Sequence, residues 1–226
     1  MHKKIEKFQT EDGSWTYFIK ELKETYHSRY GAIKETKFVY IKEGFNFWKK
    51  KYTDKKCNIL ELGYGTGLTA YFSFLEANKS SKQIDYVSLE TFPLTIKEIE
   101  LLKYLNNFEY SMSSITFDQF SKLPWELTQK VSPYFNFTKI KKRFEDFKSQ
   151  NLFDLIYYDA FGFHAQPELW EPKLMKKCYS LLNSGGVWVS YCAKGSVRRG
   201  LKEAGFNVYR LPGPPGKREM LRAIKE

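Results

Sequence analysis

The sequence predicts an α/β fold in which a mostly parallel sheet has helices on both faces and one antiparallel edge. From residue 57 onward, short apolar strand patterns alternate with helical ones, as is typical of parallel strands joined by helices. The last two strand patterns are separated only by the loop "PGPPG", and so short a connection requires an antiparallel pair. With 226 residues, 42% of them hydrophobic, the chain can bury one core.

Residues 1–56 are predicted to form an N-terminal extension that packs on this core. In it, "DGSWTYFI" predicts a turn followed by a strand. The segment "YGAIKETKFVYIKEGFNFWKKK" predicts a helix because its apolar residues recur at helical spacing. These apolar positions are Ile33, Phe38, Ile41, Phe45 and Trp48.

The main domain, residues 57–226, is predicted to be Rossmann-like and begins with three strands. "CNILEL" is the first, and "LTAYFSFLEAN" behind it has helical periodicity. "IDYVSLE" is the second, and the helix after it opens with Thr95 and Glu98 at the spacing of a capping box. "FTKIKKRF" is the third. The pattern lapses near residues 110–137, which predicts a functional insertion or a lid.

The second half of this domain continues the alternation. "FDLIYY" predicts the fourth strand, and "PELWEPKLMKKCYSLL" predicts a helix closed by "NSGG". "VWVSYC" predicts the fifth strand, and "SVRRGLKEAG" predicts a short helix with Gly205 at its C-terminal end. "FNVYRL" and "EMLRAI" are the closing pair of strands.

Composition narrows the classes of function. The formal net charge of +11 suits a polyanionic partner such as RNA, DNA or an anionic membrane face, although lysine-rich proteomes also contain basic enzymes without one. No apolar run reaches the roughly 18 residues that span a membrane, and the polar start "MHKKIEKFQT" lacks a signal peptide, so we expect a cytoplasmic protein. Cys57, Cys178 and Cys192 lack CxxC spacing, and we expect no disulfide framework and no metal.

The clearest motif is "ELGYGTG", which places Gly63, Gly65 and Gly67 between the first strand and its helix. Glycines let the backbone turn sharply and approach a ligand, and the helix N-terminus faces whatever binds. The spacing GxGxG differs from the GxGxxG of dinucleotide enzymes, and the absence of GxxxxGK[ST] excludes a P-loop. A plain tight turn is the alternative interpretation of the same glycines.

Two acids are placed to complete a nucleoside site beside this loop. Glu90 ends the second strand 27 residues after Gly63, near the spacing of a ribose-binding acid, although a solvated strand end has the same pattern. After the third strand, Asp146, in preference to Glu145, can reach an adenine amino group at the carboxyl edge of the sheet. Ribose and adenine without phosphate indicate S-adenosylmethionine as cofactor, and Glu61 can accommodate the amino group of its methionine end.

Asp159 stands at the end of the fourth strand, in "LIYYDAFGF", where ligands of open α/β sheets bind. Facing a methyl donor, its carboxylate can hold an amine N–H so that the nitrogen lone pair points at the methyl group, and can stabilise the developing ammonium. This role needs no shifted pKa, and the carboxylate can also accept the proton afterwards. Phe161 can stack on a flat base or shield the methyl group. Alternatively, Asp159 caps the loop and Phe161 lies in the core.

Several consecutive blocks resemble the MnmC-type tRNA methyltransferases. The blocks are "YHSRYGAIKETKFVYI", "ELGYGTGL", "SLETFPLT", "DLIYYDAFGFHAQPELWEP", "YSLLNSGGVWVSYCAKGSVRRGLKEAGF" and "RLPGPPGKREMLRA". The resemblance implies a class I fold that uses S-adenosylmethionine to methylate 5-aminomethyl-2-thiouridine at the wobble position of tRNA, giving 5-methylaminomethyl-2-thiouridine. It also implies that the family's D-[A/G]-F motif falls on Asp159 to Phe161, its glycine loop on Gly63 to Gly67, and its strand-end acid on Glu90.

The chain departs from the resembling family in two places. Two-domain members carry a C-terminal flavin oxidase that prepares the amine, whereas this chain ends at Glu226, so we expect a stand-alone form whose amine comes from a separate enzyme. Where many relatives have proline after D-[A/G]-F-x, this sequence has Phe163 and His164. We expect His164 to face solvent, with a contact to the nucleotide as the alternative.

A wobble base lies in a single-stranded loop, so we expect the tRNA anticodon loop as partner and a pocket with a basic rim. Phosphate contacts at such a rim would make the affinity fall with salt, whereas ordinary surface charges would not. The candidate contacts are Arg29, Arg198, Arg199, Lys217 and Arg218.

Three other functions fit parts of the pattern. A class I methyltransferase acting on a protein or a small amine would share the same motifs. A non-catalytic RNA-binding relative would keep the fold, but it would not need Asp159 together with the glycine loop. An aminopropyltransferase similar to spermidine synthase would require an acidic pocket for polyamines, and this chain is basic.

Overall fold

The structure is a computed structural model that describes residues 5–104 and 115–226. The strands are β1 Ile5–Gln9, β2 Trp15–Ile19, β3 Glu24–Thr25, β4 Cys57–Leu62, β5 Ile84–Glu90, β6 Gln129–Ser132, β7 Phe135–Lys141, β8 Phe153–Tyr158, β9 Leu182–Ser190, β10 Asn207–Pro212 and β11 Glu219–Ile224. The α-helices are α1 Ala32–Thr36, α2 Phe47–Lys51, α3 Leu68–Lys79, α4 Ile96–Leu101, α5 Phe117–Ser121, α6 Pro172–Leu181 and α7 Gly195–Glu203. A π-helical segment, Lys37–Asn46, joins α1 to α2, and Phe144–Asp146 and Pro167–Trp170 are 3₁₀ turns.

The centre of the molecule is an eight-stranded sheet in the order β10-β11-β9-β8-β4-β5-β7-β6. Strands β4, β5, β7, β8 and β9 are parallel, and β10 and β11 are antiparallel at one edge, so the predicted fold class is confirmed. The chain runs outward from β4 to β5 and β7 on one side, and from β8 to β9 on the other. The carboxyl ends of β4 and β8 therefore flank the point where strand order reverses, which is where open α/β sheets bind ligands.

Two apolar layers cover the faces of this sheet. Successive residues of a strand point to opposite faces, and on β8 Leu155 and Tyr157 enter one layer while Ile156 and Tyr158 enter the other. The first layer is completed by the helical stretch from α1 to α2 and by α3 and α5, and the second by α6 and α7. Because both faces are covered, β8 is buried along its whole length, which explains why its sequence is apolar without alternation from Leu155 to Tyr158.

Three parts of the fold differ from the sequence prediction. Two unpredicted strands, β1 and β3, pair with β2 in a separate three-stranded sheet. The predicted insertion contains α5 and the strand β6, which pairs antiparallel with β7 at the second sheet edge; its residues 110–114 lie outside the described ranges. "NSGG" belongs to β9, which begins directly after α6 with a register shift against β8. Short polar edge strands and irregular ones lack the clear alternation that reveals a strand.

The structure confirms the helix start predicted after the second strand. Thr95 and Glu98 form the expected capping box at the start of α4. No helix in the described ranges is long and apolar enough to cross a membrane. Within those ranges, no group of three or more histidine, cysteine or acidic residues is arranged to hold a metal ion.

Candidate active site

The glycine loop connects β4 to α3 through three left-handed backbone conformations. The φ angles are +92° at Gly63, +53° at Gly65 and +85° at Gly67, values that residues other than glycine rarely adopt. A Cβ atom on Gly63 would collide with the main-chain oxygen of Asp159, and one on Gly67 would collide with the Tyr64 hydroxyl. Glycine is therefore required at residue 63 for the ends of β4 and β8 to come this close.

A first cavity opens beside this loop at the carboxyl ends of β4 and β5. Counted together with the space that is open to solvent, it spans about 770 Å³. The residues of its wall that bear on ligand binding are Gly63, Gly65, Glu90, Phe92, Phe144 and Phe161. Its wall thus combines polar backbone groups, the carboxylate of Glu90 and several aromatic rings.

Glu90 lies in the wall of the first cavity with its carboxylate fixed by two backbone donors. Its Oε2 accepts the Gly65 N–H at 3.1 Å, and its Oε1 accepts the Phe92 N–H at 2.9 Å. Each carboxylate oxygen can accept more than one hydrogen bond, so both remain able to bind hydroxyl groups. This geometry suits the predicted ribose contact.

The structure does not place Glu61 and Asp146 where the sequence prediction put them. Glu61 is fully buried, accepts a hydrogen bond from the Ser88 hydroxyl, and is not among the residues lining this cavity, because alternation along β4 turns it to the opposite face from Leu62. Burial holds the pKa of Glu61 well above its usual value. Asp146 is exposed, and the 3₁₀ turn directs Phe144 into the cavity instead. Neither predicted cofactor contact is supported by this geometry.

A second cavity adjoins the first. Tyr26, His27 and the segment from Asp159 to Phe161 line both. The second cavity is further lined by charged and aromatic side chains, namely Glu24, Glu35, Arg29, Tyr30, Tyr191 and Lys217. Asp159 and Phe161 therefore stand at the junction of two cavities, one with a nucleoside-type wall and one with a charged wall.

Asp159 has a specific partner and a shifted pKa. The Tyr40 hydroxyl donates a hydrogen bond of 2.6 Å to its Oδ1. Burial raises the pKa of Asp159 to about 7, although hydrogen bonds from Tyr40 and Thr69 oppose this effect. The sequence analysis did not anticipate this shift. A carboxyl group with a pKa near 7 can accept a proton at neutral pH far better than an ordinary aspartate.

Phe161 is part of an aromatic wall between the cavities. Its ring centre lies 5.1 Å from that of Tyr26, with the planes at 75°. The Trp170 indole N–H donates to the Phe161 main-chain oxygen at 2.9 Å, which fixes the loop that follows β8. The ring is half-buried and faces both cavities, where it can contact a flat base or a methyl group.

The predicted basic contacts separate into two groups. Lys217 and Arg29 line the second cavity; the Lys217 ammonium is 2.6 Å from Glu35 Oε1 and 3.5 Å from the centre of the Tyr191 ring. Arg198, Arg199 and Arg218 line neither cavity.

His164 is largely exposed, as expected for a residue facing solvent. Its Nε2 atom lies 3.3 Å from Glu24 Oε2, so the imidazole borders the acidic side of the second cavity without lining it.

The sequence and the fold both match known methyltransferases. Residues 126–226 match the family model described as S-adenosyl-L-methionine-dependent methyltransferase. The crystal structure of MNMC2 from Aquifex aeolicus superimposes with a TM-score of 0.76 at 21% identity, covering 100% of this chain and 71% of that one. The fold is that of the class I methyltransferases. The family of the matching model uses S-adenosylmethionine, the cofactor that the sequence predicts. The glycine loop and Glu90 fit the nucleoside part of this cofactor.

Curated relatives extend the match along the chain. The bifunctional protein MnmC of tRNA 5-methylaminomethyl-2-thiouridine biosynthesis from Hydrogenovibrio crunogenus is 27% identical over 208 residues, covering 87% of this chain and 31% of the relative. The protein of the same name from Actinobacillus pleuropneumoniae serotype 5b is 27% identical over 222 residues, covering 89% and 32%. The resemblance to the MnmC-type methyltransferases is confirmed. The chain spans about a third of the length of these relatives.

The N-terminal segment brings several residues to the candidate site that were not predicted from the sequence. Tyr26 and His27 line both cavities, and burial lowers the pKa of His27 to about 4, so its imidazole is neutral at pH 7. Glu35 is buried and accepts the Ser28 N–H at 2.8 Å. One signal was available: Glu35 and Tyr40 are polar groups in the part of the helix predicted to pack on the core, where polar side chains need a partner.

Proposed function

We propose that this chain transfers a methyl group from S-adenosylmethionine to the amine of 5-aminomethyl-2-thiouridine at the wobble position of tRNA, giving 5-methylaminomethyl-2-thiouridine. The observation that carries the proposal is the position of Asp159 at the junction of the two cavities, at the point where strand order reverses. The names of the MnmC relatives, which refer to biosynthesis of that nucleoside, support the choice of substrate.

The first cavity is the cofactor side of the proposed reaction. Glu90 accepts hydrogen bonds from the ribose hydroxyls, and the glycine loop lets the backbone come close to the ligand. Phe92 and Phe144 offer apolar surface to the adenine. When bound, S-adenosylmethionine supplies a methyl carbon activated by a positively charged sulfur.

The second cavity is the acceptor side. Glu24 and Glu35 place negative charge around the entering amine, which is mostly protonated in water at neutral pH because alkylamines have pKa values near 10. Asp159, with its pKa of about 7, accepts a proton from this group and leaves a neutral nitrogen with a free lone pair. This proton then passes to solvent, and the restored carboxylate holds a remaining N–H so that the nitrogen lone pair points at the methyl carbon, and stabilises the charge that develops on nitrogen.

The tRNA side of the proposal rests on charge and on the cavity rim. The net charge of +11 favours a polyanion, and Arg29 and Lys217 lie in the wall of the acceptor cavity. We assign Arg198, Arg199 and Arg218 to phosphate contacts of the anticodon arm, outside the cavities.

The proposal is tested by incubating the purified protein with labelled S-adenosylmethionine and tRNA from cells that cannot complete the wobble modification, followed by nucleoside mass spectrometry. The expected result is one added methyl group on 5-aminomethyl-2-thiouridine, absent when the protein carries Asp159→Asn. Cofactor binding without methylation of this tRNA contradicts the proposed substrate, and protein and small-amine acceptors would then be assayed in its place.

A further inference from the structure

The helical stretch from α1 to α2 contains a π-helical segment, Lys37–Asn46, directly behind the acceptor cavity. π-Helical turns are rare and frequently occur at functional sites. Tyr40 lies in this segment and is 1% exposed, with its ring in the apolar layer that covers the sheet. A buried phenol needs a hydrogen-bond partner, so the partner of Tyr40 shows what the segment does.

Gly44 explains how this segment comes so close to the end of β8. A Cβ atom on Gly44 would lie 2.9 Å from the Tyr157 ring and 3.1 Å from Val189 Cγ2. Tyr157 and Val189 are paired in the β8–β9 register, so the helix crosses these strands with only a hydrogen atom between its backbone and the sheet. Tyr40, four residues earlier, then reaches just beyond β8, where Asp159 begins the catalytic loop.

The contact between the two side chains is short and enclosed. Tyr40 Oη donates to Asp159 Oδ1 at 2.6 Å, across 119 residues of sequence. Charge-assisted hydrogen bonds of this type are short and strong, and inside a protein water does little to weaken them. Burial and the neighbouring Asp159 hold the pKa of Tyr40 well above its usual value, so the phenol keeps its proton and remains a donor.

We infer that Tyr40 is a positioning residue for methyl transfer: its hydroxyl fixes the orientation of the Asp159 carboxyl group and favours the carboxylate over the acid. The inference rests on the proposed function, because it acts through the role assigned there to Asp159. Without this donor, the carboxyl group could rotate, and burial would favour its neutral form still more strongly.

Several other titratable groups face Asp159, and all of them remain when the Tyr40 hydroxyl is removed. Glu35 on α1 raises the pKa of Asp159, and Lys217 on the β10–β11 loop lowers it. The other neighbours are Glu61 on β4, Tyr191 after β9 and His27 in the cavity wall. A change of titration in a Tyr40→Phe variant therefore reports the loss of one hydroxyl group.

The experiment compares Tyr40→Phe with the matched variant Tyr157→Phe. Both remove one buried phenol hydroxyl from neighbouring rings, whose centres are 5.2 Å apart. The Tyr157 hydroxyl has no hydrogen-bond partner among the residues that the structure describes. The titration of the Asp159 carboxyl is followed by carbon-13 NMR without substrates, and kcat and KM for tRNA are measured from pH 6 to 9.

In Tyr40→Phe, Asp159 is expected to titrate at higher pH than in the wild type. An upward shift of about one pH unit would reduce the ionised fraction at pH 7 about fivefold, so kcat should fall more at pH 7 than at pH 9. KM for tRNA and the Kd of S-adenosylmethionine should stay within about twofold of the wild-type values, since the substitution is not expected to change how tightly either substrate binds in the ground state. Tyr157→Phe should leave the titration and the pH profile unchanged.

An unshifted carboxyl titration in Tyr40→Phe, or a loss of kcat no larger than in Tyr157→Phe, overturns the inference. The titration also separates this outcome from failure of the proposed function. If the wild-type protein methylates no tRNA, the proposed function is wrong, and the NMR measurement still decides whether Tyr40 controls the ionisation of Asp159.

Discussion

The two cavities differ in the parts of the molecule from which they are built. The cofactor cavity depends on backbone: three glycines in left-handed conformations, and two N–H groups that hold Glu90. The acceptor cavity depends on side chains that carry charge, among them Asp159 and the partly buried ion pair of Lys217 with Glu35, which joins residues 182 positions apart. One cavity is sensitive to backbone geometry, the other to burial and charge.

Each cavity can therefore be followed by a different measurement. A change in the glycine loop alters the shape available to a ligand and should appear in cofactor affinity. A change in the acceptor cavity alters the protonation and orientation of a carboxyl group and should appear in turnover and its pH dependence. Variants that affect both quantities equally would contradict this division.

The largest expected effect is that of Asp159→Ala on the acceptor side. Loss of the carboxyl group removes the proton acceptor and the orienting hydrogen bond, and kcat should fall by roughly three orders of magnitude. The Kd of S-adenosylmethionine, measured by calorimetry, should change by less than about threefold. Glu168→Ala, which removes an exposed acid nine residues later, is the control. Equal loss of affinity and turnover in Asp159→Ala would refute its assignment to the acceptor side.

Gly63→Ala should have the next largest effect, on the cofactor side. Its φ of +92° strains any side chain, and the new methyl group meets the Asp159 main-chain oxygen, so the Kd of S-adenosylmethionine should rise about 10- to 100-fold. Gly13→Ala is a matched control, because Gly13 has a φ of +80° but no atom within 4 Å of its Cβ position. If both variants lose cofactor affinity equally, backbone strain alone explains the effect and the close approach of β4 and β8 is not needed.

Glu90→Gln should weaken cofactor binding by about tenfold, because an amide replaces the charged acceptor of the ribose hydroxyls. Glu126→Gln is the control: Glu126 also accepts a backbone N–H, from Lys141, but lines neither cavity. Equilibrium dialysis with labelled cofactor measures both. An unchanged Kd in Glu90→Gln would show that Glu90 is an ordinary strand-end acid.

The stability of the protein should respond to Asp159 in a defined pH range. Its pKa is raised from the ordinary 3.8 to about 7, so the folded state binds its proton more tightly, and the free energy of unfolding falls as pH rises from about 4 to 7. Asp159→Asn removes this penalty and should stabilise the protein by roughly 1–2 kcal/mol at pH 8, with little gain at pH 4. Urea unfolding at the two pH values measures the difference. An equal gain in the free energy of unfolding at both pH values would show that ionisation of Asp159 does not destabilise the folded state.

The smallest expected effect lies outside both cavities. Replacing Arg198 and Arg199 together by alanine should weaken tRNA binding a few-fold, and should make the plot of log affinity against log salt shallower by about one for each lost phosphate contact. Lys50→Ala with Lys51→Ala is the control, because these exposed lysines precede β4 at the amino end of the sheet. Identical slopes of log affinity against log salt in the two double variants would show that the arginines are ordinary surface charges.

Some site residues were identified from the sequence because their position follows from local patterns. The glycines and Glu90 each follow or end a strand whose apolar pattern is clear, and the carboxyl ends of parallel strands meet at one edge of the sheet. The same reasoning led to Asp159. The structure does not support the cofactor contact predicted for Glu61, since the side-chain alternation of β4 turns that residue away from the cavity. It does not support the contact predicted for Asp146 either, since a 3₁₀ turn presents Phe144 in its place.

Local features could be predicted from the sequence: the alternation of strands and helices, the antiparallel closing pair, and the glycine loop. These depend on apolar periodicity and on backbone conformations of neighbouring residues. Three features of Asp159 could not be predicted in this way: the hydrogen bond that it accepts from Tyr40, the cavity wall that it shares with Glu35 and Lys217, and the rise of its pKa to about 7. The physical reason is that a pKa depends on burial and on charges close in space, and these arise only when segments more than 100 residues apart pack together.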